Sequence, residues 1–507
     1  MLNAKEELMN RREFISASSA FAAMAPNALM STTKPVADAS LGEAKLIVGI
    51  ISDPHLSLPL QKEKGVLFKK TLQRFDEAKV DAILMPGDIF HGRLCWLERF
   101  AEAYFEVFPG DKGSDGRRVE RMIVTGNHDI DEWWYGLKKN ETLEECEARY
   151  RDAMFFFHRE EAWKRVWGEP YEPYFLREVK GYKFLLRHWP SSGKGKWKEP
   201  HRVDEAFAKY GPMLAKEKVF FYCQHEQPSA SVNANWLLSE DCERFGNADA
   251  CAGPFLRELL NGYPNCVSLT GHSHCGLADE RSIWQDKFTA VNCGNFSGYP
   301  FNAPGRENGH DHDKNPNPVR EMEMFDIGSV HDAMIMTVYE NAIRFRRLDC
   351  AHWIPSGPDW IVPIGSSERP YAFQPRQKSS LPPVFPAKAK VLVREIAMGQ
   401  NRSGEKHPQL EVSFPTIAAS KSGDRAYEFS VRMEMRIADT IRTIDEKRVF
   451  SPGFLRPERF DKGPATCLFA RSEVPVGRSI RFVVTPYNVW LKPGEPIASP
   501  FAKYKNV

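Results

Sequence analysis

Met122-Ile123-Val124-Thr125-Gly126-Asn127-His128-Asp129 is the stretch that decides the fold. Three consecutive apolar residues fit a short strand buried on both faces. The run stops at a glycine, and an amide, an imidazole and a carboxylate follow at once. In layered α/β proteins, ligands gather just beyond the carboxyl ends of the strands. The stretch therefore reads as a strand delivering chemistry to a sheet edge.

Working outward, the pattern recurs four times. Leu46–Ile51 runs into Ser52-Asp53-Pro54-His55, and Ala82–Met85 into Pro86-Gly87-Asp88. Val219–Tyr222 is followed by His225, and Val267–Leu269 by Gly271-His272-Ser273-His274. Phe68–Val80 and Leu94–Phe108 read as intervening helices, so 45–350 reads as one α/β domain. Thr142–Trp167 reads as an inserted helix or helix pair, with Phe155, Phe156 and Phe157 as core. A single Gly-Asp turn or isolated histidine is ordinary structure. Five such strand ends in series are better explained by convergence on one rim.

The order D-x-H, G-D, G-N-H-D, H, G-H-x-H resembles the calcineurin-like metallophosphoesterases. The resemblance covers 45–350 and implies a four-layer αββα sandwich with two metal ions at its edge. It implies that Asp53, His55 and His274 hold the first metal. It assigns Asn127, His225 and His272 to the second, and has Asp88 bridge both. His128 is implied as general acid at the leaving oxygen, with Asp129 orienting its ring. The implied reaction is hydrolysis of a small phosphate monoester or diester by a metal-bridging hydroxide. Nitrogen, carboxylate and amide donors without thiolate suit two divalent ions of Mn, Fe, Zn or Co better than Ca or Mg. Two such ions, offset by Asp53, Asp88 and hydroxide, leave a net charge of about +1 for a phosphate oxyanion. An imidazole with a reference pKa of ~6.5 suits the proton the leaving alkoxide needs.

Residues further out are weighed against plain packing. His91 and Arg93 follow the Gly87-Asp88 turn and are candidate substrate contacts. The Ser/Thr phosphatase branch, however, carries its arginine one residue nearer the aspartate than Arg93. Trp133, Trp134 and Tyr135 can stack a base or sugar, or simply pack. Lys194, Lys196 and Lys198 around Trp197 read as a solvated turn, and Gly309-His310-Asp311-His312-Asp313 as an exposed polar loop. Cys223, Cys275 and Cys293 read as buried thiols, with no disulfide expected.

The 507 residues carry 69 Lys and Arg against 67 Asp and Glu, a net charge of +2. That balance gives no global field for nucleic acid, and no specific nucleic-acid partner is expected. No run reaches the roughly 20 apolar residues of a transmembrane helix. Asn10-Arg11-Arg12-Glu13-Phe14-Ile15, then an uncharged Ala- and Ser-rich stretch, reads as a twin-arginine-type export signal over 1–39. An exported, periplasmic or extracellular location follows as an expectation. The proline-rich segment 351–388 reads as a linker. Period-two alternation in 389–507, as in Tyr427–Arg436, suggests a β-sandwich of weak fibronectin or immunoglobulin likeness. Ser479–Thr485 and Asn488–Leu491 read as further strands there. The rival reading is a non-catalytic surface binder that uses this last domain. Every ligand position is filled and His128 is present, which favours an enzyme. The sequence assigns no oligomeric state.

Overall fold

The computed structural model describes residues 41–56, 61–193, 195–232, 253–297, 330–400, 406–420, 422–451, 454–455 and 464–504. The export-signal reading, Lys194 and the 309–313 loop lie outside the described residues.

The described residues open with three parallel strands, β1 (Leu46–Ile50), β2 (Ala82–Met85) and β3 (Glu120–Ile123). A second sheet follows, built from β4 (Tyr174–Val179), β5 (Tyr182–Arg187), β6 (Phe220–Cys223), β7 (Cys266–Thr270), β8 (Ile283–Gln285) and β9 (Thr289–Asn292). Within it β5, β6, β7 and β9 run parallel. The chain then returns to the first sheet with β10 (Asp332–Val338), antiparallel to β1, and β11 (Ala342–Asp349).

Strand alternation sorts the side chains into layers. Leu46, Val48, Ile50, Ala82, Leu84 and Met122 face Phe184, Leu186, Phe221, Val267 and Leu269 across the gap between the sheets. Ile83, Met85 and Ile123 point the other way, into a core shared with Phe68, Leu72, Phe75, Leu97, Phe100 and Trp163 of three covering helices, Gln61–Glu77, Leu94–Val107 and Arg159–Trp167. Leu185, Phe220, Tyr222 and Ala290 pack with Phe207, Leu214, Leu256 and Leu260 of helices Val203–Leu214 and Gly253–Leu260. Helices thus cover the outer face of each sheet. Gly49 is the one close approach in β1, because a Cβ there would run into the Phe75 ring. Thr142–Trp167 resolves into helix Leu143–Tyr150, a 3₁₀ turn at Phe155–His158 and helix Arg159–Trp167.

Residues 351–388 do more than link. Ile354–Pro355 (β12) and Trp360–Pro363 (β13) each pair with β11, and a helix spans Phe373–Ser379. Their prolines are tolerated because β12 and β13 lie at the sheet margin, where a missing N–H costs no ladder bond.

The remainder forms two antiparallel sheets, as in a β-sandwich. One holds β14 (Leu392–Gln400), β15 (Lys406–Phe414) and β18 (Ala465–Ala470). The other holds β16 (Glu428–Ile437), β17 (Thr440–Phe450), β19 (Ser479–Tyr487), β20 (Ile497–Ala498) and β21 (Ala502–Lys503). Leu410, Val412, Phe469, Phe429, Val431 and Phe482 fill the space between them. The expected strand at Asn488–Leu491 is a turn instead. Asn488 Oδ1 accepts the N–H groups of Trp490 and Lys492, and its Nδ2 donates to Leu381 O and Asp424. The polar face of β16 is also less exposed than alternation suggests. Glu428 is fully buried against Arg448 at 2.6 Å, and Glu434 pairs with Arg481 at 2.8 Å.

This last unit is joined to the α/β domain by a seam of buried and part-buried charge. Glu280 meets Arg347 at 2.9 Å and Arg376 at 3.2 Å. Arg281 pairs with Asp279 at 2.7 Å and lies over the Tyr427 ring. Arg425 donates to the carbonyls of Phe454 and Ala278. Desolvation pushes the Glu280 carboxyl up, but Arg347 and Arg376 outweigh it and hold it below its ordinary pKa. Leu455 packs so closely on Gly276 that a Cβ there would meet it at 2.6 Å.

Candidate metal centre

Both sheets send their strand ends to one rim. The loops are stitched together by their backbones. Asp53 N–H donates to Gly87 O, His55 N–H to Asp88 O and Gly271 N–H to His225 O. Five of the seven expected ligands, Asp53, His55, Asp88, His272 and His274, have φ between 44° and 66°. Left-handed backbone is uncommon outside glycine and costs on the order of 1 kcal/mol or more per residue. It bends each strand end sharply, so that the side chain turns into the rim.

Asp53, His55, Asp88 and His274 form one group of donor atoms, and Asp88, His225 and His272 a second. Asp88 belongs to both. Its Oδ2 lies 3.1 Å from His225 Nε2 and 3.6 Å from His55 Nε2. His274 Nε2 is 3.2 Å from Asp53 Oδ1 and 2.9 Å from His55 Nε2. Asn127 Oδ1 sits 3.0 Å from His272 Nδ1, so it joins the second group.

The ring nitrogens are prepared for cations. His225 Nδ1 donates to Pro86 O, which leaves Nε2 as the ligand atom. Burial pushes His55 and His272 well down, His272 to about 3, so both rings keep a free lone pair. Burial opposes the charge of His225 too, yet Asp88 and Asp53 lift it to about 9. Ser52 Oγ and His272 N–H donate to Asp53, while His128 N–H donates to Asp88. The protein supplies carboxylates, imidazole nitrogens and an amide oxygen, each oriented by a neighbour. That donor set fits two divalent cations.

Room at the rim is made by glycine. Gly87 has φ 108°, and a Cβ there would come 2.6 Å from His225 Nδ1. Gly126 and Gly271 have no space for a Cβ beside Asp88 and Asp53 respectively.

His128 stands at the edge of the cluster, with its ring centroid 5.1 Å from that of His55. Burial alone would lower its pKa; Asp88 and Glu132 outweigh it and raise it to about 9. Asp129 does not orient this ring. Its carboxylate accepts the N–H groups of Ile89, Phe90 and Gly126 and is fully buried. It fastens the Gly-Asn-His turn to the Gly-Asp turn. Glu132 is the residue at His128, with Oε2 2.7 Å from Nδ1.

Of the outer candidates, His91 joins the cluster, with Nε2 3.0 Å from His55 Nδ1. The Arg93 guanidinium instead lies over Trp96 at 5.2 Å and Tyr150 at 5.9 Å. The extra residue after the Gly-Asp turn carries it past the rim. Trp133 is fully buried with Phe156, Phe157 and Trp197, so it packs. Tyr135 is 40% exposed, lies edge-on to His128 and accepts from Asn127 Nδ2 at 3.3 Å. Cys223, Cys275 and Cys293 are buried.

Sequence reading missed Glu132, Asp131 and Trp189. Trp189 stacks on His272 at 5.9 Å and donates to Asp131, whose carboxylate also takes Ser191 Oγ and the Ser192 N–H. Glu132 was detectable four residues after His128, the spacing that brings side chains together on a helical turn.

Residues 46–276 match the calcineurin-like phosphoesterase family model. The chain thus carries a phosphoesterase domain and is a hydrolase acting on phosphoric ester bonds. No curated protein matches the chain. Among solved structures it is similar to a dimetal phosphatase from Danio rerio (10% identity, 64% of this chain and 100% of that one covered, TM-score 0.36). It is also similar to the anchor of the inner membrane complex of Plasmodium (12% identity, 64% and 91% covered, TM-score 0.36). A third is vacuolar protein sorting 29 from Cryptosporidium parvum (11% identity, 64% and 100% covered, TM-score 0.25). Among the described residues, no helix is long and apolar enough to cross a membrane.

Proposed function

We propose that this chain is an exported, binuclear metal-dependent phosphoesterase that hydrolyses a small phosphate monoester or diester. The observation that carries the reading is Asp88, one carboxylate common to two adjoining groups of ligand atoms. Asp53, His55 and His274 would hold one cation with Asp88. Asn127, His225 and His272 would hold the other. Bound there, two divalent cations of Mn, Fe, Zn or Co supply Lewis acidity towards phosphoryl oxygen and water.

The remaining work falls to the protein. His128, at the edge of the cluster and half-buried, is the group to protonate the departing alcohol. Such a positioned acid is typically worth ~10²–10⁴-fold. The Trp189 ring, stacked on His272, shields one flank of the second group from water. Tyr135, exposed and edge-on to His128, is placed to border the leaving group. His91 is retained as a contact near the substrate, and Arg93 is not.

Nitrophenyl phosphate and bis(nitrophenyl) phosphate, assayed with added manganese and again after chelation, test the reading. Turnover of either ester that disappears on chelation is the expected result. No turnover of both, or full activity without metal, would overturn it. Export is proposed from the paired arginines Arg11 and Arg12, and amino-terminal sequencing of the mature protein in cell fractions checks it. An uncleaved cytoplasmic chain would remove that part.

A further inference from the structure

Beside the two ligand groups lies a third set of polar side chains that the proposed reaction leaves without a full account. Glu132 Oε2 is 2.7 Å from His128 Nδ1 and 3.7 Å from His91 Nδ1. The far side of His91 meets His55, Nε2 to Nδ1, at 3.0 Å. The His128 and Glu132 side chains are about one-third exposed, so this set forms one wall of the rim. Asp131, the residue before Glu132, is pinned by Trp189, Ser191 and Ser192. The backbone that presents Glu132 is therefore fixed from beneath.

We propose that Glu132 is the positioning residue of His128, and that the same carboxylate ties His128 to the first ligand group through His91. This rests on the phosphoesterase reading above. A histidine that binds a metal through one ring nitrogen carries the proton on the other and hands it to an acceptor. For His55 that acceptor is His91 Nε2. His91 then carries its own proton on Nδ1, which faces Glu132. His128 donates Nδ1–H to the same carboxylate, so its ring orientation is set and Nε2–H is left to meet the leaving oxygen. One carboxylate thereby holds His128 by a hydrogen bond and faces His91 across 3.7 Å, beside the His55 ring that would hold metal. The three side chains also satisfy the distances for holding a cation, and the experiment separates that alternative.

Glu132→Ala and Glu132→Gln are compared with the unaltered protein in two ways. Imidazole nitrogen spectra of the histidine-labelled, metal-free protein, recorded well above the raised His128 pKa of about 9, report the His128 tautomer. The expected result is a protonated Nδ1 in the unaltered protein and in Glu132→Gln, whose amide oxygen still accepts, and loss of that state in Glu132→Ala. Steady-state rates are then measured, with two manganese ions bound, on an alkyl and a nitrophenyl ester of the same class. Glu132→Ala should lose about 10²-fold in kcat on the alkyl ester, which needs a proton for its leaving group, and under about 10-fold on the nitrophenyl ester. KM and metal content should hold, and Glu132→Gln should recover part of the loss. Equal losses on both esters, or an unchanged His128 tautomer in Glu132→Ala, overturn the proposal. So does a third bound manganese that Glu132→Ala abolishes, which would make the trio a metal site. If the unaltered protein turns over neither ester, the phosphoesterase reading fails, while the spectra still report whether Glu132 holds His128.

Discussion

The rim and the seam are both crowded with charge held largely away from water, yet they solve the problem in opposite ways. At the seam, opposite charges meet: Glu280 is held by Arg347 and Arg376, and Asp279 by Arg281. At the rim, donors face donors. Two carboxylates and four imidazoles converge with no Lys or Arg paired to Asp53 or Asp88 in the described contacts. The backbone differs as well, since the rim concentrates left-handed residues. The seam is complete in itself and works as structure. The rim offers two adjoining sets of donors that cations would complete, and its strain is tolerated because packing on both sides over-determines the loops.

That contrast can be broken at several points. Asp88→Asn removes the carboxylate common to both groups, and kcat should fall on the order of 10³-fold or more. Elemental analysis should then find fewer than two metals per chain, and two retained metals would contradict the shared role. Arg347→Met strikes the seam instead. Taking one partner from the part-exposed Glu280 and the donor from the carbonyls of Leu277 and Pro358 should cost about 1–3 kcal/mol in denaturant unfolding, with kcat and metal content of the folded protein unchanged. A fall in metal content there would mean that the two regions are coupled. Saturating metal should stabilise the unaltered chain by about 2.7 kcal/mol at a hundredfold excess over Kd. Thermal unfolding with and without chelator should show the same increment in Arg347→Met and little in Asp88→Asn.

The smallest effect concerns His188, which is neither at the rim nor at the seam. It accepts the Thr125 N–H at Nδ1 and stacks on Tyr171. Burial lowers its pKa to about 3. Above the unfolded value of ~6.5 both states are neutral and stability is unaffected. As pH falls below that, the unfolded chain takes a proton that the folded one refuses. Stability therefore drops by up to about 1.4 kcal/mol per pH unit until the folded pKa is reached. Urea titrations between pH 7 and pH 5 should show a shallower decline in His188→Gln.

What the sequence made legible follows from what a pattern can carry. The strand ends at Asp53, Asp88, Asn127, His225 and His272 were readable because each apolar run stops where its ligand begins. The second sheet's β4 and β5 were not, since Tyr174–Val179 and Tyr182–Arg187 mix charge with apolar residues. With β5 unread, His188 and Trp189 at its end went unnoticed. The role given to Asp129 followed resemblance; its burial and three backbone donors show that it locks two turns instead. Asn488–Leu491 has strand-like residues, but a single amide side chain gathers five contacts and closes a turn. The partnership of Glu280 with Arg347, Trp360 and Arg376, on three separate elements, depends on tertiary placement, which no local pattern encodes.

Leu455 on Gly276 has a practical consequence. The family outline stops at residue 276, two positions after His274, but the polypeptide there is already gripped from the far end of the chain. A fragment trimmed to that outline would also lack β10, the neighbour that closes β1. The hydrolase is thus not a portable module with an ornament attached. The loop that bears His274 is packed against Leu455 of the last unit, so the tail forms part of the wall behind the rim.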